Sequence, residues 1–74
     1  SPVDEAGLLA ALDEALPLLG PDDRALLEEK YFAGSDVRSI AVKHQVSAKA
    51  VESRLTRARA ELRRLLQLTL VRHE

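Results

Sequence analysis

From Ala48 to Val71 the chain contains neither glycine nor proline and is dominated by Ala, Leu, Arg and Glu, residues that favour a helix. Within that run Val51, Leu55, Ala58, Leu62 and Leu65 or Leu66 step by four and three residues, drawing one apolar stripe down one side of a long helix. A stripe of this length has to be covered. The remainder of the 74-residue chain is therefore read as the set of elements that covers it. A chain this short has room for one modest core, burying roughly 60% of its unfolded surface, so a single domain over residues 1–74 is expected. Tyr31 and Phe32 are the only aromatic residues, and a core of Leu, Ala and Val suits helices better than strands. The expected fold class is all-α: four helices, with a C-terminal helix-turn-helix and a long recognition helix.

Proline, glycine and capping residues divide the earlier part. A first helix from Asp4 to Leu16 carries Leu8, Leu9, Leu12 and Leu16 at helical spacing, with Ala11 and Ala15 widening the stripe. Pro17 removes a backbone donor and disfavours helical geometry at Leu16, which predicts an end there or a kink running on to Leu19. Gly20-Pro21-Asp22-Asp23 opens a second helix reaching about Ala33, because proline fits the first helical position and carboxylates complement the positive end of the helix dipole. Its inward residues are expected to be Leu26, Leu27, the stem of Lys30, Tyr31 and Phe32, with Gly34 as a left-handed stop. Ser35-Asp36 caps a short third helix with Val37, Ile40 and Ala41 inside, ending near His44. Gln45-Val46 connects, and Ser47 caps the fourth helix. The run Leu66 to Val71 is apolar enough to pack back on the domain or on another chain.

The composition also excludes. There is no cysteine, so neither a disulfide nor a thiolate metal site can form, and the chain is compatible with a reducing cytoplasm. Two histidines, His44 and His73, make a poor metal set, and no cofactor is expected. No apolar run approaches the roughly 20 residues that span a bilayer, and no membrane partner is expected. The start, Ser1-Pro2-Val3-Asp4, has no basic leader and no initiator Met and reads as cut from a longer protein. No glycine-rich phosphate loop, metal spacing or nucleophile with a base is present, so an enzyme is not expected. Asp22-Asp23 and Glu28-Glu29 lie on different faces of a helix and read as dipole complement and surface.

The net charge of −1 hides a strong asymmetry. Residues 1–36 carry nine acids against Arg24 and Lys30, whereas residues 37–74 carry nine bases against Glu52, Glu61 and Glu74. The second half is suited to a polyanion, unless the two signs are simply two solvated faces.

A short helix, a connection of about three residues and a Ser-capped second helix form the outline of a helix-turn-helix, whose second helix enters the DNA major groove. Turning about 100° per residue from the apolar stripe brings Lys49, Ser53, Thr56 and Arg57 to the opposite face, with Glu52 on its shoulder. Arg57 or Lys49 could pair guanine, Glu52 could accept from the cytosine amino group, and Thr56 could offer a methyl to thymine. Arg54 and Arg59 fall on the flanks where phosphates run, Arg38 and Lys43 reach the same backbone from the preceding helix, and the helix start at Ser47 offers free backbone donors. Arg63, Arg64 and Arg72 are read as solvated surface. Glu61 lies four residues after Arg57, a spacing at which a pair stabilises a helix by a few tenths of a kcal/mol. His44 is read as a half-buried packing residue on the inner side of the third helix, with no catalytic role.

The string Val51-Glu52-Ser53-Arg54-Leu55-Thr56-Arg57-Ala58-Arg59, followed by Leu62, resembles the recognition-helix signature of region four, the C-terminal region of extracytoplasmic-function sigma factors. Asp23-Arg24-Ala25-Leu26-Leu27, Tyr31-Phe32-Ala33-Gly34, Ile40-Ala41 and Val46-Ser47 resemble the rest of that domain in the right order, so the likeness covers about Leu12 to Leu66. The resemblance implies a four-helix domain that binds the minus-thirty-five element of double-stranded promoter DNA within RNA polymerase holoenzyme. Glu52, Ser53, Thr56 and Arg57 would then face bases and Arg54 and its neighbours phosphates. It further implies docking on the flap of the polymerase beta subunit and, in many family members, an anti-sigma factor as partner. Two positions depart from the pattern: Gln45 stands where a turn glycine is usual, straining the turn by around 1 kcal/mol, and His44 where an aliphatic residue is common. A LuxR-type response-regulator output domain, or a helical protein-interaction module using the Leu-rich tail, are the rival readings.

Overall fold

The computed structural model describes residues 4–72; the expectations that fall on Ser1, Pro2, Val3, His73 and Glu74 lie outside the described residues. Helix α1, Glu5–Ala15, is opened by Asp4, whose Oδ1 accepts from the Gly7 N–H at 2.7 Å. Leu16–Leu18 then tighten into a 3-10 turn around Pro17, and Leu19 leaves in an extended conformation. The expected break is thus an end to the α-helix followed by one tighter turn. Helix α2, Pro21–Leu27, starts on its proline, and Leu27 runs without interruption into a π-helical turn, Glu28–Phe32. The Ala33 N–H reaches back five residues to the Glu28 carbonyl, at 2.9 Å. Gly34 stops the helix with φ 72°, as its freedom from a Cβ permits. The Ser35 N–H closes this ending on the Glu29 carbonyl at 3.0 Å. Helices α3, Val37–His44, and α4, Ala48–Arg72, complete the chain.

Helix α4 has 25 residues, about 37 Å at 1.5 Å per residue, and accounts for most of the 43 Å long dimension of the molecule. Helices α1, α2 and α3 all pack on it. Val51, Leu55, Ala58 and Leu65 are buried along its seam with Ala15, Leu19, Leu26, Leu27, Ile40 and Ala41 from the other elements. Leu62 and Leu66 lie at the margin of this core. Thr69 extends the seam; it is buried, and its hydroxyl donates to the Leu65 carbonyl at 2.8 Å, so no polar group is left unsatisfied there. The Leu-rich tail therefore packs back on the domain through Leu66 and Thr69 while Leu68 and Val71 face solvent.

Two expectations about the core need correction. On α1 the fully buried residues are Ala11 and Ala15, while Leu8 and Leu9 are exposed and Leu12 and Leu16 only partly covered. At about 100° per residue all four leucines fall to one side of the line through Ala11 and Ala15, which is the buried face of α1. Tyr31 and Phe32 do not enter the core; they are 54% and 66% exposed. At about 100° per residue the direction shared by the buried Leu26 and Leu27 returns at Lys30, which leaves Tyr31 on the shoulder and Phe32 on the far side.

The close packing around Ala58 is testable. Ala58→Leu inserts a branched side chain where nothing is exposed and is expected to cost about 1–3 kcal/mol by overpacking. Leu68→Ala, on the open side of the same helix, should change stability by less than about 0.5 kcal/mol. Thermal melts followed by circular dichroism separate the two.

Candidate nucleic-acid interface

The α3–α4 unit is held by three local devices that follow from sequence. Asp36 Oδ1 accepts from the Ser39 N–H at 2.8 Å and caps α3. That contact, first through the backbone of Ser39 and then its side chain, holds the Asp36 carboxyl below its ordinary range. At the other end Gln45 adopts a left-handed conformation, φ 56° and ψ 44°. Its N–H meets the Val42 carbonyl at 3.2 Å, and the Val46 N–H meets Ala41 at 3.0 Å. This paired closure ends a helix tightly, with Val46 tucked against the core. Ser47 Oγ then accepts from the Ala50 N–H at 3.0 Å and starts α4. The position where the resemblance marks a missing glycine is thus the one that requires positive φ, and Gln45 bears the strain.

A fourth device was hidden in the sequence. His44 does not pack inward but sits at the surface with Nε2 2.8 Å from Glu29 Oε1, and Lys43 Nζ lies 3.8 Å from the same oxygen. Glu29, only 17% exposed, thereby ties the end of α3 to the π turn. The correction to His44 has a simple cause: Glu29, fifteen positions earlier in the chain, brings a carboxylate to its ring.

All five residues assigned to bases, Lys49, Glu52, Ser53, Thr56 and Arg57, are exposed on one side of α4. Thr56 donates its hydroxyl to the Glu52 carbonyl at 2.9 Å, which leaves its methyl as the group for an external partner. Of the residues assigned to phosphates, Arg38, Lys43, Ser47, Arg54 and Arg59 are exposed too. They are not equivalent. Arg54 and Arg57 line an open cleft of about 670 Å³ with Asp22, Asp23 and His44, over a floor that includes Leu26, Ile40 and Val51. Arg59 lies on the opposite flank, donating from Nη1 to the Tyr31 hydroxyl at 2.9 Å. It borders an apolar groove of about 280 Å³ lined by Leu12, Leu16, Leu27, Tyr31, Phe32 and Leu62. Farther along α4, Arg64 grips Glu61 through two hydrogen bonds, which lower the Glu61 carboxyl and raise the Arg64 guanidinium relative to their ordinary values. Glu61 therefore pairs with Arg64 and not with Arg57.

Sequence reasoning missed Tyr31 and the carboxylates of Asp22 and Asp23 as neighbours of this surface. The acids were legible only as dipole partners, because nothing local in sequence shows that the start of α2 lies beside the first turns of α4. No group of histidines, cysteines and acids suited to a metal ion occurs among the described residues.

Two outcomes follow for the turn. Gln45→Gly removes the left-handed penalty and is expected to stabilise the domain by about 1 kcal/mol, raising its melting temperature by several degrees. Asp36, whose carboxyl is depressed in the folded state, contributes stability above the ordinary carboxylate range and loses it as pH falls through the depressed value. Denaturant titrations should therefore show the gap between wild type and Asp36→Ala narrowing in acid, with the difference between Asp36→Asn and Asp36→Ala constant over the same window.

The family model described as Sigma-70, region 4, matches residues 9–62, from the middle of α1 through most of α4. Comparison with curated proteins and with solved structures found no match. The chain belongs to the sigma-70 region 4 family, and its α3–turn–α4 unit is the helix-turn-helix of a DNA-binding domain.

Proposed function

We propose that this region 4 domain reads the minus-thirty-five promoter element as part of an alternative sigma factor of the extracytoplasmic-function kind, directing transcription initiation by RNA polymerase in the cytoplasm. The observation that carries the reading is the exposed face of Lys49, Glu52, Ser53, Thr56 and Arg57, directly after a rigidly closed turn. Side chains of this kind, at the start of a recognition helix, match the donors, acceptors and thymine methyl of the major groove. In this arrangement Arg57 and Lys49 pair guanine, Glu52 accepts from cytosine, Ser53 bonds to a base edge and Thr56 meets a methyl. Arg38, Lys43, Ser47, Arg54 and Arg59 hold phosphates on either side.

The surface away from DNA suits protein partners. The apolar groove between α1, the π turn and α4 is the place for the flap of the polymerase beta subunit. The exposed acidic face of α1, with Asp13, suits an anti-sigma factor. No helix among the described residues is long and apolar enough to cross a membrane.

Selection of bound duplexes from a randomised pool at low salt tests the reading. Wild type should enrich a short motif; Arg57→Ala should lose preference at one position, a cost of about 1–3 kcal/mol for the cognate duplex. Arg54→Ala should weaken all duplexes alike and reduce the salt slope by about 1. Binding that depends on salt alone, with no motif enriched by wild type, overturns promoter reading by this surface.

A further inference from the structure

The π turn has a product that helix packing does not explain. It brings Tyr31, one of two aromatic residues in the chain, to the surface against α4 with its ring more than half exposed. Burial alone would be served better by an aliphatic side chain. What Tyr31 does is accept a hydrogen bond at 2.9 Å from Arg59 Nη1, while Arg59 Nη2 lies 3.4 Å from Thr56 Oγ1. Thr56 is itself fixed by its bond to the Glu52 carbonyl. A connected series therefore runs from the π turn through one guanidinium to the middle of the recognition face.

The chemistry of that contact matters. An arginine carries five N–H donors; Tyr31 and Thr56 engage two nitrogens and leave the other donors open. The phenol is neutral, so Arg59 keeps its full charge, unlike Arg64, whose charge is met by Glu61. Tyr31 also retains its own O–H proton for a second acceptor. A free arginine loses much rotamer freedom when it binds, and one already held in its fork loses less.

We propose that Tyr31 is a positioning residue for DNA binding: its hydroxyl holds the Arg59 guanidinium on the flank of α4, set in advance for a phosphate. The proposal rests on the reading of α4 as the DNA-facing helix. It assigns to Tyr31, within the π turn, the task of delivering the hydroxyl.

The test uses Tyr31→Phe, which keeps the ring and removes the hydroxyl, alone and combined with Arg59→Ala. Binding is measured against a duplex enriched by wild type and a random-sequence duplex of equal length. Tyr31→Phe is expected to weaken both by about three- to fivefold, in line with the loss of one modest hydrogen bond, with melting temperature and salt slope unchanged. Arg59→Ala should weaken both duplexes and lower the salt slope by about 1, and adding Tyr31→Phe to it should change nothing further. In the free protein, nitrogen NMR of the Arg59 guanidinium should show hindered rotation that Tyr31→Phe releases. An equal loss in the Arg59→Ala background, or tighter binding by Tyr31→Phe, overturns the proposal; the latter would mean that the phenol withholds Arg59 from DNA. A wild type that binds neither duplex overturns the DNA reading and this proposal with it, and is told apart from a failure of positioning by the guanidinium signal, which needs no DNA.

Discussion

The apolar seam of α4 is the one surface that every other helix needs. Val51, Leu55, Ala58 and Leu65 are buried along it, and α1, α2 and α3 all meet it. Because a buried stripe occupies only part of the helix circumference, the same packing that fixes α4 leaves its opposite side open over the whole length. At the α3 end that open side begins at a capped serine beyond a closed turn. The candidate interface is thus the remainder of the core: whatever α4 does not bury, it presents, and it presents it on the longest element of the molecule.

Charge along the sequence does not become charge separation in space. The acidic first half and basic second half fold over each other, so that Asp22 and Asp23 share a cleft with Arg54 and Arg57. Glu29 sits against Lys43 and His44, while Arg59 keeps its charge beside a neutral phenol. The field over α4 is therefore weaker than nine bases would create on their own. A domain built this way relies on directed contacts more than on general attraction to phosphate, which fits a module that acts as one part of a larger assembly.

What could be read in the sequence was governed by local rules. Pro21, Gly34, Asp36 and Ser47 each act within a few residues, and each performs the expected local task in the structure. The seam of α4 was legible because a helix repeats, and the exposed face follows from it by rotation. The errors fall where a distant neighbour or the width of the inward face decides. Leu8 and Leu9 were placed inside because leucine outranks alanine in hydrophobicity, yet the buried face of α1 runs through Ala11 and Ala15. Tyr31 and Phe32 lie outside the core because the inward direction of Leu26 and Leu27 returns at Lys30. His44 was judged by its side of a short helix, whereas Glu29, fifteen positions earlier, determines where its ring goes.

The π turn also bears on how lengths should be compared among chains of this kind. A helix that accommodates an extra residue as a bulge leaves the elements before and after it undisturbed, so Glu28–Phe32 is a place where one residue can be gained or lost without moving the core.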